Sequence, residues 1–177
     1  SGMSKDLFSA AYRWMGHLRG GLASATIAAC AGFAALSGSS LASAVTMGRV
    51  ALPEMKKYKY ADSLATGSVA AGGTLGFLIP PSGGMIIYAV LTEQSIGRLF
   101  MAGVFPGIIL TLLFIGAIYC VVIRNPTAGP RAKRFGLHER VASLWQALPI
   151  VGVVLITIGG MYTGFFTPVE ASSVGAF

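Results

Sequence analysis

The sequence predicts an all-α integral membrane protein: a re-entrant helical hairpin followed by broken and continuous transmembrane helices. Three observations carry that prediction. Of 177 residues, 54% are hydrophobic and 11% charged, with a mean hydropathy of +0.73, whereas soluble domains carry about 25% charged residues. The 13 Lys and Arg gather in short segments between apolar runs, which is the positive-inside pattern of membrane proteins. Finally, two apolar runs are interrupted in mid-course, by Ser37-Gly38-Ser39-Ser40 and by Pro80-Pro81-Ser82-Gly83-Gly84. Irregular backbone at membrane depth survives only when it is buried in protein or lines a cavity.

The same composition excludes other classes. The net charge is +7, yet no basic surface remains once the apolar spans are set aside, so no nucleic acid is expected as a partner. Cys30 and Cys120 lie in apolar stretches and read as reduced packing residues, without metal-ligand spacing or a disulfide framework. A nucleophilic serine at Gly38-Ser39 would need a base within reach. The only histidines, His17 and His138, fall outside the spans, and no Asp lies within one, so an enzyme is not expected. The N-terminal Ser1-Gly2-Met3-Ser4-Lys5-Asp6 has no apolar signal-peptide core and the chain does not begin with Met. It stops at Phe177 inside an apolar run, and the expectation is a piece of a larger chain.

Residues 1–19 place Leu7, Phe8, Ala11, Trp14, Met15 and Leu18 at helical spacing. That pattern fits an amphipathic helix on the membrane surface, with a cytoplasmic connector helix as the alternative. Residues 20–53 form the hairpin. Gly20 to Leu36 is 17 residues, about 25 Å of helix and just short of a crossing; the second arm, from Leu41, is expected to close at Pro53. Arg13 and Arg19 precede the pair and Arg49, Lys56, Lys57 and Lys59 end it. Both feet therefore belong on the positive side, with Ser37–Ser40 as the tip.

Residues 54–96 hold a short basic cytoplasmic turn and a broken transmembrane helix. Ser63 to Thr92 is 30 uncharged residues, about 45 Å if one helix, and Pro81 forbids helical geometry at the residue before it. Residues 97–123 read as a transmembrane helix with a kink signal at Pro106-Gly107, 124–143 as a basic cytoplasmic loop, and 144–162 as another transmembrane helix. In 163–177, an outer turn leads into a helix whose Thr167 cap, Pro168 and Glu170 suit a helix start.

The chemistry-bearing residues cluster at the two interruptions. A partly dehydrated Na⁺ is met by hydroxyls and freed carbonyls, and half-helix N-termini attract a carboxylate. Ser37, Ser39, Ser40 and Ser82, with carbonyls around Gly38, Gly76 and Ile79, are the candidate ligands. The competing reading is that small residues only permit tight packing; two discontinuous segments in succession go beyond what packing requires. Thr74 and Gly72-Gly73 stand open between ligand and packing roles. Arg49 is read as snorkelling to the cytoplasmic interface and Glu54 as part of the surface turn.

The runs GLASATIAACAGFAALSGSSLASAVTMGRVALPEMKKYKY and GTLGFLIPPSGGMIIYAVLTEQSIGRLFMAGVFPG, with the later GGMYTGFFTPVEASSVGAF, resemble the large membrane subunit of TRAP (tripartite ATP-independent periplasmic) transporters, over nearly the whole chain from about Gly16. The resemblance implies one repeat of an inverted-repeat, elevator-type transporter of the bacterial inner (cytoplasmic) membrane. It implies sodium-coupled import of an organic anion, a C4-dicarboxylate-like or sugar acid. The implied partners are a small TRAP membrane subunit, a periplasmic substrate-binding protein and membrane lipid; Na⁺ is the coupling ion and there is no cofactor. On this likeness Ser37, Gly38, Ser39, Ser40, Gly76, Pro80, Pro81 and Ser82 shape the Na⁺ and substrate site, with Ile79 added from the residue reading. The second hairpin would lie beyond Phe177, leaving the substrate pocket incomplete, and Gly83-Gly84 replaces a bulkier apolar residue. The alternatives are an elevator-type sodium/anion transporter working without a binding protein, and a non-transporting membrane scaffold.

Overall fold

The computed structural model describes residues 2–162, and every regular element among them is helical. Seven helices follow in order: α1 (Met3–Met15), α2 (Gly21–Ser37), α3 (Ser40–Lys57), α4 (Asp62–Leu78), α5 (Gly83–Leu91), α6 (Ile96–Arg124) and α7 (Leu137–Tyr162). The outer turn expected within 163–177 lies outside the described residues. Among the described residues, two stretches are long and apolar enough to cross a membrane, Asp62–Leu91 across its break and Ile96–Arg124; Leu137–Trp145 with Ala147–Ile156 is a further pair, bent by 46°. The bend falls where the ring of Pro149 crowds the carbonyl one turn back, at Trp145, and offers it no N–H.

The core is organised around α2. Its Ala, Gly, Ser and Thr side chains are small on every side, so neighbours can close in all round, and Leu22, Ala23, Ala25, Thr26, Ile27, Cys30 and Ala34 are fully enclosed. An all-round apolar helix has no solvent face to present. It is walled by α1, α3, α4 and α6. On α4, Gly72 lets Cys30 approach so closely that a Cβ there would stand 2.7 Å from its Sγ. Such small-residue contacts are how helices associate where no water drives them together.

α2 and α3 make the hairpin, and its second arm is longer than the sequence suggested. α3 does not close at Pro53 but runs through it to Lys57. An interior proline costs a helix about 3 kcal/mol. Here Met47, Ala51 and Met55 form a fully buried stripe at i, i+4 and i+8 that continues past the proline, while Pro53 itself points outward. Burial of that stripe outweighs the lost hydrogen bond. Consequently Glu54 lies within α3 rather than in a turn, paired with Lys57 at 2.9 Å on the surface.

The expected loop 124–143 is also corrected: α7 begins at Leu137, so the connection is 125–136. Glu139 reaches back to accept from the Gly136 N–H at 3.1 Å, the N3-to-N-cap half of a capping box. The first turns of α7 dock on α1. The Arg13 guanidinium donates to the Glu139 carbonyl at 3.1 Å, the Trp14 indole donates to the Arg140 carbonyl at 3.3 Å, and the Arg140 guanidinium meets His17 Nδ1 at 3.3 Å. α1 is thus clamped between the bundle, where Phe8 is buried, and α7.

The 125–136 connection also ties the hairpin's feet. Gly129 O accepts from Gly20 N at 2.9 Å, Ala128 O from Ala61 N at 3.0 Å, and Gly16 O from Ala132 N at 3.0 Å. Gly20 takes a left-handed φ of 69° to start α2, and Gly129 sits where a Cβ would come within 3.0 Å of Gly20 Cα. The starts of α2 and α4 are therefore held at one end of the molecule, hereafter the base. Beside them the buried Tyr60 hydroxyl accepts from Leu22 N at 3.2 Å, satisfying a first-turn N–H that no helical carbonyl reaches.

Tyr60→Phe leaves that buried N–H without a partner, a loss of about 1–3 kcal/mol, measurable as a lower melting temperature in detergent. Burial pushes the Tyr60 phenol up to about 12 from 10.0, against a smaller opposing pull from the Leu22 N–H. The folded state keeps this proton after the unfolded chain has released it, so the Tyr60 contribution is full below pH 10 and declines between pH 10 and 12. The phenylalanine variant lacks that part of the alkaline loss.

Candidate functional site: a hairpin tip against a broken helix

α2 and α4 start together at the base and are each 17 residues long, about 25 Å. Their far ends reach the same level. There α2 stops at Ser37, α3 starts at Ser40, α4 stops at Leu78 and α5 starts at Gly83. Of the sequence-selected tip, only Gly38 and Ser39 are outside a helix; Ser37 closes α2 and Ser40 opens α3. Of the second interruption, Ile79, Pro80, Pro81 and Ser82 are non-helical, whereas Gly83 and Gly84 belong to α5.

The break follows from two missing donors. Pro80 and Pro81 stand four residues after Gly76 and Phe77, so neither carbonyl can receive its helical N–H. The last regular cap bond runs from Ile79 N to Leu75 O at 2.8 Å. Phe77 O is satisfied by the fully buried Ser82 hydroxyl at 2.6 Å. Among the described residues, no side chain replaces the lost donor at Gly76 O. Because Ser82 Oγ turns back to α4, it makes no cap bond to α5, and Gly83 N instead points across to Gly38 O at 3.4 Å.

The tip is built from αL and extended residues in succession. Gly38 has φ 58° and donates to Ala34 O at 2.9 Å; Ser39 is extended and its Oγ accepts from Ala42 N at 3.3 Å as the cap of α3. Ser37 Oγ lies 3.0 Å from Ser43 Oγ and 3.4 Å from both the N and O of Ser39. Ser43, fully buried, was missed in the sequence reading. Its signal was the spacing of four residues from Ser39, which puts both on one helical face near the tip.

Main chain meets main chain here. A Cβ on Gly38 would stand 2.5 Å from Pro81 O, and one on Gly76 would stand 2.8 Å from Ser39 O and 2.9 Å from Ser40 N. On the other hand, Gly73 faces Ala44, Gly72 faces Cys30, and the exposed Thr74 hydroxyl is spent on Ala71 O at 2.6 Å. Gly72 packs and Thr74 faces outward, while Gly73 packs against Ala44 at the edge of the cluster, where a Cβ would also stand 3.3 Å from Ser40 O. Ser37, Gly38, Ser39, Ser40, Gly76, Ile79, Pro80, Pro81 and Ser82 are all gathered at the tip-and-break level.

Electrostatically, two helix C-termini (α2 and α4) and two helix N-termini (α3 and α5) converge. C-terminal carbonyls favour a cation and N-terminal N–H groups an anion, each end equivalent to about half a charge. The side chains of the cluster are uncharged, so the local field is set by the backbone. On the flanking helices Leu41, Val45 and Phe77 are exposed.

Residues 1–177 match the protein family described as "Tripartite ATP-independent periplasmic transporter, DctM component". The chain is 43% identical over 175 residues to the C4-dicarboxylate TRAP transporter large permease protein DctM of Pseudomonas aeruginosa, covering 99% of this chain and 40% of that protein. It is 41% identical to the ectoine/5-hydroxyectoine TRAP transporter large permease protein UehC of Ruegeria pomeroyi, covering 94% and 39%. It is 35% identical to the sialic acid TRAP transporter large permease protein SiaM of Vibrio cholerae, covering 99% and 41%. The chain thus spans about two fifths of the length of these relatives.

Gly38→Ala forces a side chain into left-handed backbone, costing about 1–2 kcal/mol before any clash, and Gly76→Ala drives a methyl into the Ser39–Ser40 backbone. Both lower the melting temperature of the detergent-solubilised protein. Gly67→Ala, on the same α4 helix with open space around it, is neutral or stabilising by up to about 1 kcal/mol. Equal responses at the three positions would contradict the close approach.

Proposed function

The chain belongs to the DctM component family of tripartite ATP-independent periplasmic transporters, and from that premise we propose that it is part of a sodium-coupled permease importing an organic acid. The family and its relatives are transporter permeases rather than enzymes, and the chain is part of a multi-pass membrane protein. The observation that carries the transport reading is the meeting of the hairpin tip with the α4–α5 break. Four helix ends converge there without a side-chain charge.

In this reading the α2–α3 hairpin is re-entrant. Its two feet share the base with Lys56, Lys57, Lys59 and the basic 125–136 connection, a charge bias that supports a base on the cytoplasmic side of the bacterial inner membrane. The tip then lies at mid-membrane depth, where interrupted helices hold substrates and coupling ions in transporters. Ser37, Ser39 and Ser40 supply oxygens to Na⁺ together with the carbonyls of Gly76 and Ile79. Gly76 is the carbonyl that Pro80 deprives of its helical donor. The N-termini of α3 and α5 face the carboxylate of the substrate. Gly38, Pro80, Pro81 and Ser82 keep tip and break in register rather than contributing charge.

The named relatives carry C4-dicarboxylates, ectoines and sialic acid, which supports a C4-dicarboxylate-like or sugar acid here. A periplasmic binding protein delivers it and a small membrane subunit completes the permease. A second inverted repeat in the rest of the longer protein completes the pocket, and the substrate crosses by an elevator movement of the tip-and-break unit.

In proteoliposomes holding the full-length permease with its small subunit, uptake is expected to require both a Na⁺ gradient and the cognate binding protein. Loss of one oxygen ligand, worth about 1–1.5 kcal/mol, makes Ser39→Ala need roughly tenfold more Na⁺ for half-maximal uptake. Uptake indifferent to Na⁺ and to the binding protein would sink this reading.

A further inference from the structure

We propose that the outer face of the hairpin's second arm is a binding site for one anionic glycerophospholipid. The acyl chain would lie along α3 and the phosphate would be held by Arg49 and Lys56. A shallow, open groove of about 650 Å³ runs along α3 and touches α4 at Val69, with Val45, Gly48, Leu52 and Pro53 among its other apolar lining residues. Its only charged lining residues are Arg49 and Lys56. Seven residues apart on one helix, they lie on the same face about 10 Å apart along the axis. Side chains of that length can bend toward a common anion.

Both cations lack a side-chain hydrogen-bond or ion-pair partner among the described residues. The nearby carboxylate, Glu54, is committed to Lys57. Arg49 sits eight residues before the end of α3, about 12 Å from the base. At that depth an unpaired guanidinium needs an anion or a route to the headgroup region. The groove supplies that route, since it carries Arg49 toward Lys56 at the basic end of the molecule.

The lining decides the class of ligand. A small hydrated carboxylate would gain from the two cations but nothing from the apolar floor that makes up the rest of the groove. A lipid uses both, because its chain covers Val45, Gly48, Leu52 and Val69 while its phosphate meets the charges. A net-neutral zwitterionic lipid fills the groove but attracts the cation pair more weakly. Gly48 widens the floor at mid-length: a Cβ there would stand 3.4 Å from the Val69 side chain. The site rests on the membrane placement proposed above, with the base at one membrane surface, but not on sodium coupling, and it is tested by binding rather than uptake.

The test is native mass spectrometry of the full-length permease released from micelles containing equal phosphatidylglycerol and phosphatidylcholine. The unaltered protein is expected to retain phosphatidylglycerol about tenfold or more over phosphatidylcholine, as two surface cations would provide. Arg49→Gln with Lys56→Gln is expected to abolish the preference. Arg49→Lys, which keeps the charge, and Lys59→Gln, which removes a base charge outside the groove, are expected to preserve it. Equal retention of the two lipids by the unaltered protein would overturn the proposal, as would an unchanged preference in the double variant. Retention of no lipid would show that another part of the protein fills the groove. Complete displacement by inorganic phosphate would reduce it to a phosphate site without a chain.

Discussion

Two backbones packed without a Cβ between them are the constraint on which the rest of this structure depends. Gly38 and Gly76 let the hairpin tip and the α4–α5 break touch through main-chain atoms. The prolines at 80 and 81 supply the other half of the arrangement by withholding donors from Gly76 and Phe77. Ser82 then repairs one of those two losses and leaves the other. A helix broken by proline alone would expose polar groups at random. Here one carbonyl freed by proline, that of Gly76, stands beside the hairpin tip.

The remaining architecture serves to bring those two backbones to the same height. Equal lengths of α2 and α4 achieve this only if their starts are level, and the 125–136 connection levels them. It does so with main-chain bonds to Gly20 and Ala61, at the foot of each helix, and to Gly16 just before α2. A polar, basic loop therefore serves the alignment of the described helices. α1 adds a second restraint, since it holds α7 through Arg13 and Trp14, with His17 just beyond its end meeting Arg140.

Much of this was legible in the residues. Apolar run lengths placed α2, α4 and α6 closely, and Ser-Gly-Ser-Ser and Pro-Pro-Ser marked the two ends that meet. Pro53 misled because a local rule was overridden by the Met47–Ala51–Met55 stripe, whose burial depends on neighbours far away in sequence. The start of α7 was hidden because His138, Glu139 and Arg140 look like loop, although Gly136 followed three residues later by Glu139 is a capping signal. Ser43 was overlooked for a similar reason. Within an apolar helix one serine is unremarkable until its partner, Ser37, is seen to face it. The lacing of the base could not be read at all, since backbone hydrogen bonds leave no mark on residue type.

Because the groups that converge at the tip are largely peptide carbonyls and amides, they are identical whichever amino acids surround them. Exposed side chains near the tip and break, such as Leu41, Val45 and Phe77, do not set those dipoles. Only a few positions, the glycines that lack a Cβ and the prolines that lack an N–H, are held fixed by steric need. A change at those exposed positions therefore leaves the central dipoles in place, whereas at the centre the backbone geometry works together with the hydroxyls of Ser37, Ser39 and Ser82.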